Sequence, residues 1–372
     1  MAGGSNASGT VFLKACECIT PFGQSGETLA ALLRGERAMQ LRPVLGREGG
    51  DLVPIALLAG RALDETAPPS WLEHVRTLLA PVNDAGWGTA RKPVFVTSSN
   101  FGAGSMHAFR RSGDEAHMKY GALVNCVEWL RKELGWQENV AIFSHACVSA
   151  HLGLLQASRQ VEAGLVDEAL VFSFDFLSPF VSGGFHALKI LNADFPAPYM
   201  NRATGSIGLG DGAGYAVLSR AKQDFNISAQ SMYNEMHHFT ANQPDGAGFE
   251  ACLAPVAAQV AGRRVWLKGH GTGTLDAGRM ESNAFGKVFP GSPLVGWKGS
   301  LGHTLGSCGL VELAIAHAAI RHGRTPGTIG SGAPTFTPDV ALESFANDKF
   351  DGVICASNAF GGAHAALLLS HA

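Results

Sequence analysis

Short apolar runs rich in β-branched residues alternate with amphipathic stretches along most of the chain, and this alternation restricts the fold more than any other feature. Val11–Cys18, Lys92–Ser98, Val140–Phe143, Ala169–Phe174 and Tyr215–Leu218 read as strands. Glu27–Leu33, Trp71–Leu79, Leu123–Leu134 and Ala150–Gly164 read as helices, the last with Leu152, Leu155, Val161 and Leu165 at helical spacing. The scheme returns downstream. Arg264–Leu267, Leu294–Trp297, Gly352–Ala356 and Ala365–Leu369 read as strands, and Ser282–Phe289 and Gly306–Gly323 as helices. Such an order predicts α/β architecture, with helices covering both faces of a sheet.

Two stretches hint at duplication. Gly208–Ala221 and Ala359–Ala372 coincide at Gly210/Gly361, Leu218/Leu369, Ser219/Ser370 and Ala221/Ala372. A chain of 372 residues can bury one large core or two moderate ones. Two related halves are expected, 11–224 and 225–372, with a boundary near Lys222–Ser231 where polarity rises. Residues 1–10, rich in Gly, Ser and Ala, read as a flexible tail.

Composition excludes several function classes. Hydrophobic residues make up 46% and charged residues 16%, which describes a globular chain. A formal net charge of -3 offers no basic excess to neutralise phosphates, so a nucleic-acid binder is not expected. No signal peptide opens the sequence, and no apolar stretch approaches the ~20 residues of a membrane span. The seven cysteines are scattered without a zinc spacing, which fits reduced thiols in a cytoplasmic protein and no metal site.

Three loops carry the chemistry. Cys147 lies between a buried strand and a helix, among Ala146, Ser149 and Ala150. A thiol at a helix start meets unpaired N–H groups and the positive end of the helix dipole, which predicts a nucleophile with thiolate character. The same N–H groups can hold an oxyanion. His270 opens His-Gly-Thr-Gly-Thr after an apolar strand; Thr272 and Thr274 can bond an amide-bearing arm. His303 closes Lys298-Gly-Ser-Leu-Gly-His, ahead of a helix. Glu281, on the helix after the His270 loop, is placed to pair with Lys298. His145, His151, His237 and His238 lack such a frame.

Taken in order, these segments resemble the elongating β-ketoacyl-acyl carrier protein synthases of the thiolase fold. Val11–Gly23 is similar to the family's opening strand and turn, and Gly210-Asp211-Gly212-Ala213-Gly214 to its Gly-Glu-Gly-Ala-Gly. Ala146-Cys147, His270–Thr274 and Lys298–Gly309 resemble the nucleophile turn and the two histidine motifs. The resemblance implies two related α/β halves forming a five-layer αβαβα sandwich. It implies an acyltransferase, a 3-oxoacyl-acyl-carrier-protein synthase, in which Cys147 takes an acyl group from phosphopantetheine. His270 and His303 then promote decarboxylation of a malonyl thioester and hold the enolate. It further implies an acyl oxyanion hole from Cys147 and Phe360, a Lys298–Glu281 ion pair, and pantetheine contacts from Thr272 and Thr274. No resident cofactor is implied, since substrates arrive on acyl carrier protein. A homodimer, or a heterodimer with a homologous ketosynthase-like subunit, is expected.

Departures from the family pattern are specific. The stretch from Gly214 to His270 is trimmed, and Gly278 stands where the family has Asp. The gating loop Phe-Gly-Phe-Gly-Gly is reduced to Ala359-Phe360-Gly361-Gly362, which reads as a shortened loop. These differences point to a specialised fatty-acid, polyketide or polyene pathway. One alternative is a pocket-shaping, weakly active or inactive subunit of a ketosynthase heterodimer, against which the retained Cys147 argues. Another is a coenzyme A-dependent thiolase with Cys308 or Cys355 as second cysteine.

Overall fold

The computed structural model describes residues 10–46, 50–83, 86–239, 241–330 and 332–372. The expected N-terminal tail lies outside the described residues except for Thr10. In the first half, β1 is Val11–Thr20, β2 Val94–Thr97, β3 Val140–Phe143, β4 Glu168–Asp175 and β5 Gly212–Ser219. In the second half, β6 is Phe225–Asn234, β7 Val265–Lys268, β8 Leu294–Val295, β9 Gly352–Ala359 and β10 Ala363–His371.

The halves repeat one topology. The first has spatial order β3-β2-β4-β5-β1 and the second β8-β7-β9-β10-β6. In both, the first two pairings are parallel and the last two antiparallel. The two sheets join where β1 meets β6 antiparallel, at Val11↔Ile227 and Phe12↔Asn226. Parallel strands covered on both faces need continuous apolar runs, and Val94, Phe95 and Val96 are all buried.

Four helices position the site: α1 Ser149–Glu162, α2 Ala247–Gln259, α3 Leu275–Val288 and α4 Cys308–His322. α4 is apolar on every side, the pattern of a helix with no solvent face, and Leu310 through Ala316 except Glu312 form its apolar surface. It lies with α1 between the sheets. One core cluster joins Leu154 and Val161 of α1, Leu310 and Ile315 of α4, Val171 and Ala216 of one sheet, and Leu367 and Leu369 of the other. The helices Leu72–Leu79 and Leu123–Glu133 cover the outer face of the first sheet. α2 and α3 cover that of the second, through Phe249, Leu253 and Phe285 against Leu368. The result is helix, sheet, helix, sheet, helix.

Several elements differ from the sequence reading. The polar stretch expected as a boundary holds most of β6. Its inward residues Phe225, Ile227 and Ala229 alternate with Asn226, Ser228 and Gln230, so half its side chains are polar although the strand is central. α2 was not foreseen, because Pro255 interrupts its pattern. α3 starts at Leu275 rather than Ser282, with Gly278 inside it. Asn100–Ser105, read as a loop, contains the start of the helix Ala103–Ser112. Among the described residues, no helix is long and apolar enough to cross a membrane.

Candidate active site

Cys147 sits in a strained turn between β3 and α1. Ala146, which precedes it, has φ 46, a left-handed conformation that L-residues other than glycine rarely adopt. The turn is tied by Ser149, whose Oγ donates to the Ala146 carbonyl at 2.6 Å and accepts the His145 N–H at 2.7 Å. Cys147 is thereby held two residues ahead of α1. Burial pushes its thiol well above the ordinary cysteine value, with Cys308 adding to the rise and Lys298 opposing it. This corrects the expected thiolate. The helix terminus favours charge, but removal from water outweighs it, and the resting group is the neutral thiol.

His270 sits in a glycine turn at the end of a strand, whereas His303 follows the short helix Lys298–Leu301 and Gly302. His270 follows β7, and the turn behind it needs glycine: Gly273 has φ 95, and a Cβ there would lie 2.7 Å from Pro196 Cβ and from the Ser206 carbonyl. His303 leaves Gly302 and reaches Cys147, with Nε2 3.1 Å from Sγ. Its Nδ1 accepts the backbone N–H of Leu305 at 3.2 Å. The two rings meet edge to face, centroids 4.8 Å apart. One donor atom each from Cys147, His270 and His303 lies within 4.8 Å of the others, a donor set of the type zinc takes. Burial, reinforced by the Lys298 ammonium, holds both imidazoles well below the ordinary histidine value and therefore neutral.

The charged residues behind the rings are paired differently from the sequence expectation. Lys298 Nζ donates to Glu312 Oε1 at 2.7 Å, not to Glu281. Lys268 donates to Glu312 Oε2, so one buried carboxylate serves two ammonium groups. Burial alone would lower both lysines. Cys308 and Glu312 hold Lys298 above its ordinary value, whereas Lys268 stays lowered, with Lys298 adding to its burial. Glu281 instead accepts the Tyr199 hydroxyl at 2.9 Å and the Gly271 N–H at 3.2 Å, bracing the His270 turn. Its carboxyl is raised by burial, against those hydrogen bonds. The Lys298–Glu281 pair is thus replaced by Lys298–Glu312 and Glu281–Tyr199. Glu312 was missed; a lone carboxylate within the apolar run of α4 was the signal.

A cavity of about 410 Å³ opens onto the sulfur and both rings. Thr272 and Thr274 line it, their hydroxyls 3.3 Å apart, and so does Phe360, whose ring lies 5.8 Å from that of Phe185. Ile190, Ile207 and Met280 add apolar wall. Phe360-Gly361-Gly362 forms the turn, while Asn358 and Ala359 continue β9, paired with His364 and Ala363 of β10. Neither Cys308 nor Cys355 lines the cavity. Cys308 Sγ lies 3.4 Å from the Cys147 carbonyl as a donor, and Cys355 is buried in β9. His145 turns away to Asn234.

Residues 226–331 match the family described as β-ketoacyl synthase, C-terminal domain. The chain is 29% identical over 260 residues to the 3-oxoacyl-(acyl-carrier-protein) synthase 2 of Coxiella burnetii, covering 62% of this chain and 61% of that one. It is 28% identical over 274 residues to the tetracenomycin polyketide synthase ketoacyl synthase alpha subunit of Streptomyces glaucescens, covering 64% and 62%. The aligned region therefore spans about three fifths of the length of these relatives. A solved ketosynthase (ApeO) in complex with its chain length factor (ApeC), from Xenorhabdus doucetiae, superposes with TM-score 0.84 at 22% identity, covering 100% of both chains. The ishigamide ketosynthase/chain length factor gives 0.81 at 20% identity, covering 98% of this chain and 99% of that one. The fold is the thiolase fold of the ketosynthases, as the sequence resemblance implied.

Proposed function

We propose that this chain, a thiolase-fold homologue of the β-ketoacyl synthases, catalyses decarboxylative Claisen condensation between a carrier-bound acyl chain and malonyl-acyl carrier protein. The observation that carries this reading is Cys147 Sγ 3.1 Å from His303 Nε2, with His270 beside both at the cavity. Cys147 attacks the acyl thioester carbonyl. The C–S bond to the carrier breaks, the thiol proton leaves with the pantetheine sulfur, and acyl-Cys147 remains. The backbone N–H groups of Cys147 and Phe360 hold the oxyanion, and Thr272 and Thr274 bond the pantetheine arm.

Malonyl thioester then loses carbon dioxide, and its electron pair becomes an enolate. His303 keeps its proton on Nε2 because Nδ1 is occupied by Leu305, so it acts as a donor. With His270 it supplies two neutral N–H groups to the enolate oxygen, which stabilises developing charge without a metal. The enolate carbon attacks acyl-Cys147, and the thiolate leaves and takes up a proton. The product is a 3-oxoacyl thioester. These steps need no resident cofactor, because phosphopantetheine arrives with the substrate. Seven free thiols in the fold support a reducing, cytoplasmic setting.

A second reading is the pocket-shaping subunit of a ketosynthase heterodimer, in a fatty-acid, polyketide or polyene pathway. It is favoured by the similarity to assemblies of a ketosynthase with a chain length factor. β3, at the free edge of the first sheet with Ala141, Ile142 and Phe143 only half buried, suits pairing with a homologous subunit. Intact-protein mass spectrometry with acyl-loaded carrier protein separates the readings. The expected result is a mass gain abolished in Cys147→Ser, followed by release of carbon dioxide from malonyl carrier protein. Acylation of Cys147 only after addition of a homologous partner supports an obligate heterodimer in which this chain is the ketosynthase; no acylation in either case defeats the condensing enzyme and favours the pocket-shaping subunit.

A further inference from the structure

Asn358 lines the same cavity as Cys147 and both histidines, yet the proposed steps leave it without a task. Its side chain is fixed from behind. Asn358 Oδ1 lies 2.6 Å from Nδ1 of His364, and Nε2 of His364 lies 3.1 Å from Glu235 Oε2. Glu235 Oε1 accepts the backbone N–H of Gln243 at 2.6 Å, and Gln243 is itself part of the cavity wall. The relay is dry: Asn358 is 3% exposed, and the side chains of His364 and Glu235 are 0% and 2% exposed.

With Oδ1 facing His364, the other end of the amide is unanswered. Asn358 Nδ2 is buried and has no hydrogen-bond partner. A buried amide donor left unpaired is costly, and it is retained where a ligand supplies the acceptor. No wall residue, apolar such as Phe185 and Met280 or polar such as Asn242 and Gln243, bonds Nδ2, so an oxygen on the occupant can supply the acceptor.

We infer that Asn358, held by His364 and Glu235, is a specificity-determining residue that donates from Nδ2 to an oxygen on the acyl chain, so that the site selects oxo- or hydroxyacyl thioesters over saturated ones. The inference rests on the proposed acylation of Cys147 and names the class of acyl group it takes. A site built to hydrogen-bond an oxygen discriminates against the analogue lacking it, because the protein donor is then stranded.

The test compares acylation of Cys147 by pantetheine thioesters of equal chain length, one saturated, one 3-oxo and one 3-hydroxy, followed by mass spectrometry. The wild-type chain is expected to react at least about tenfold faster with one or both oxygenated probes. Asn358→Leu, similar in size and without a donor, is expected to remove that preference while the saturated probe still acylates. His364→Ala, which frees the amide to rotate, is expected to weaken the preference without abolishing acylation. Equal rates for all three probes in the wild type would overturn the inference and leave the condensing enzyme standing; that comparison needs no variant to fold. Retention of the preference in a folded Asn358→Leu would also overturn it. Absence of acylation by every probe would overturn the inference together with the proposed function.

Discussion

The backbone N–H of Leu305 donates to Nδ1 of His303 at 3.2 Å, and this bond decides which ring nitrogen carries the proton facing Cys147. Leu305 has φ 54, an unfavourable left-handed conformation for a leucine that aims its N–H back at the ring. If His303 works as a donor, an amide can replace it in part. His303→Gln is expected to retain at least about tenfold more decarboxylation than His303→Ala. The alanine variant should lose about 100-fold or more, the scale of one oxyanion donor. Both variants should still be acylated at Cys147. Release of carbon dioxide from malonyl carrier protein measures the first effect and mass spectrometry the second; equal loss of both activities in His303→Ala contradicts the division of roles.

The neutral state of the rings fixes a pH profile. Burial first, and the Lys298 charge second, hold His270 and His303 well below the ordinary histidine value of about 6.5. A lowered histidine stays neutral as pH falls, so decarboxylation should be flat from about pH 8 to 6, with any acid limb displaced below the ordinary range of about 6.5. Lys298→Met removes the largest charge contribution, leaving that of Lys268, and is expected to move that limb back toward neutral pH. An acid limb near 6.5 in the wild type would show that the imidazoles titrate as exposed groups do.

Cys147 is raised by burial, so only a small fraction is thiolate at neutral pH. Its reaction with iodoacetamide should be slow at pH 7 and climb about tenfold per pH unit up to pH 9, as thiolate fraction does below the pKa. Peptide mapping of the labelled site reads this out. A rate that levels off near pH 7 would show that the helix terminus and Lys298 outweigh burial after all.

Glu312 holds two ammonium groups, Lys268 and Lys298, and the three are buried together. Removing one lysine leaves a matched pair, whereas removing the carboxylate strands two cations. Glu312→Gln is therefore expected to cost more stability than Lys298→Met, with a loss on the scale of about 3–5 kcal/mol for breaking a buried pair from one side. Denaturant melts of both variants check the order, and the reverse order would show that Lys268 does not depend on Glu312 for its charge.

Much of this site was legible in the sequence because its local signals are strong. Glycine turns after apolar strands marked His270 and His303, and a thiol between a strand and a helix marked Cys147. The strand–helix alternation indicated the α/β layers, since period and burial are properties of each segment by itself. Polar partners were not legible. Lys298 was expected beside Glu281, but α4 brings Glu312 to it from 14 positions on, while Tyr199, whose number suggests no link, takes Glu281. β6 was hidden because a strand joining two sheets can be half polar.

What the sequence determined by itself was the set of candidate reacting groups and the layered α/β frame, because residue type and periodicity are local. What only the tertiary structure decided was their ionisation and their partners. Cys147 stays a thiol although it precedes a helix, since the surrounding core removes water from it. Asn358 has one end engaged and one end free because β9, β10 and Glu235 of β6's far flank converge there. Desolvation and long-range pairing depend on which elements close around a side chain, and only the folded chain specifies that.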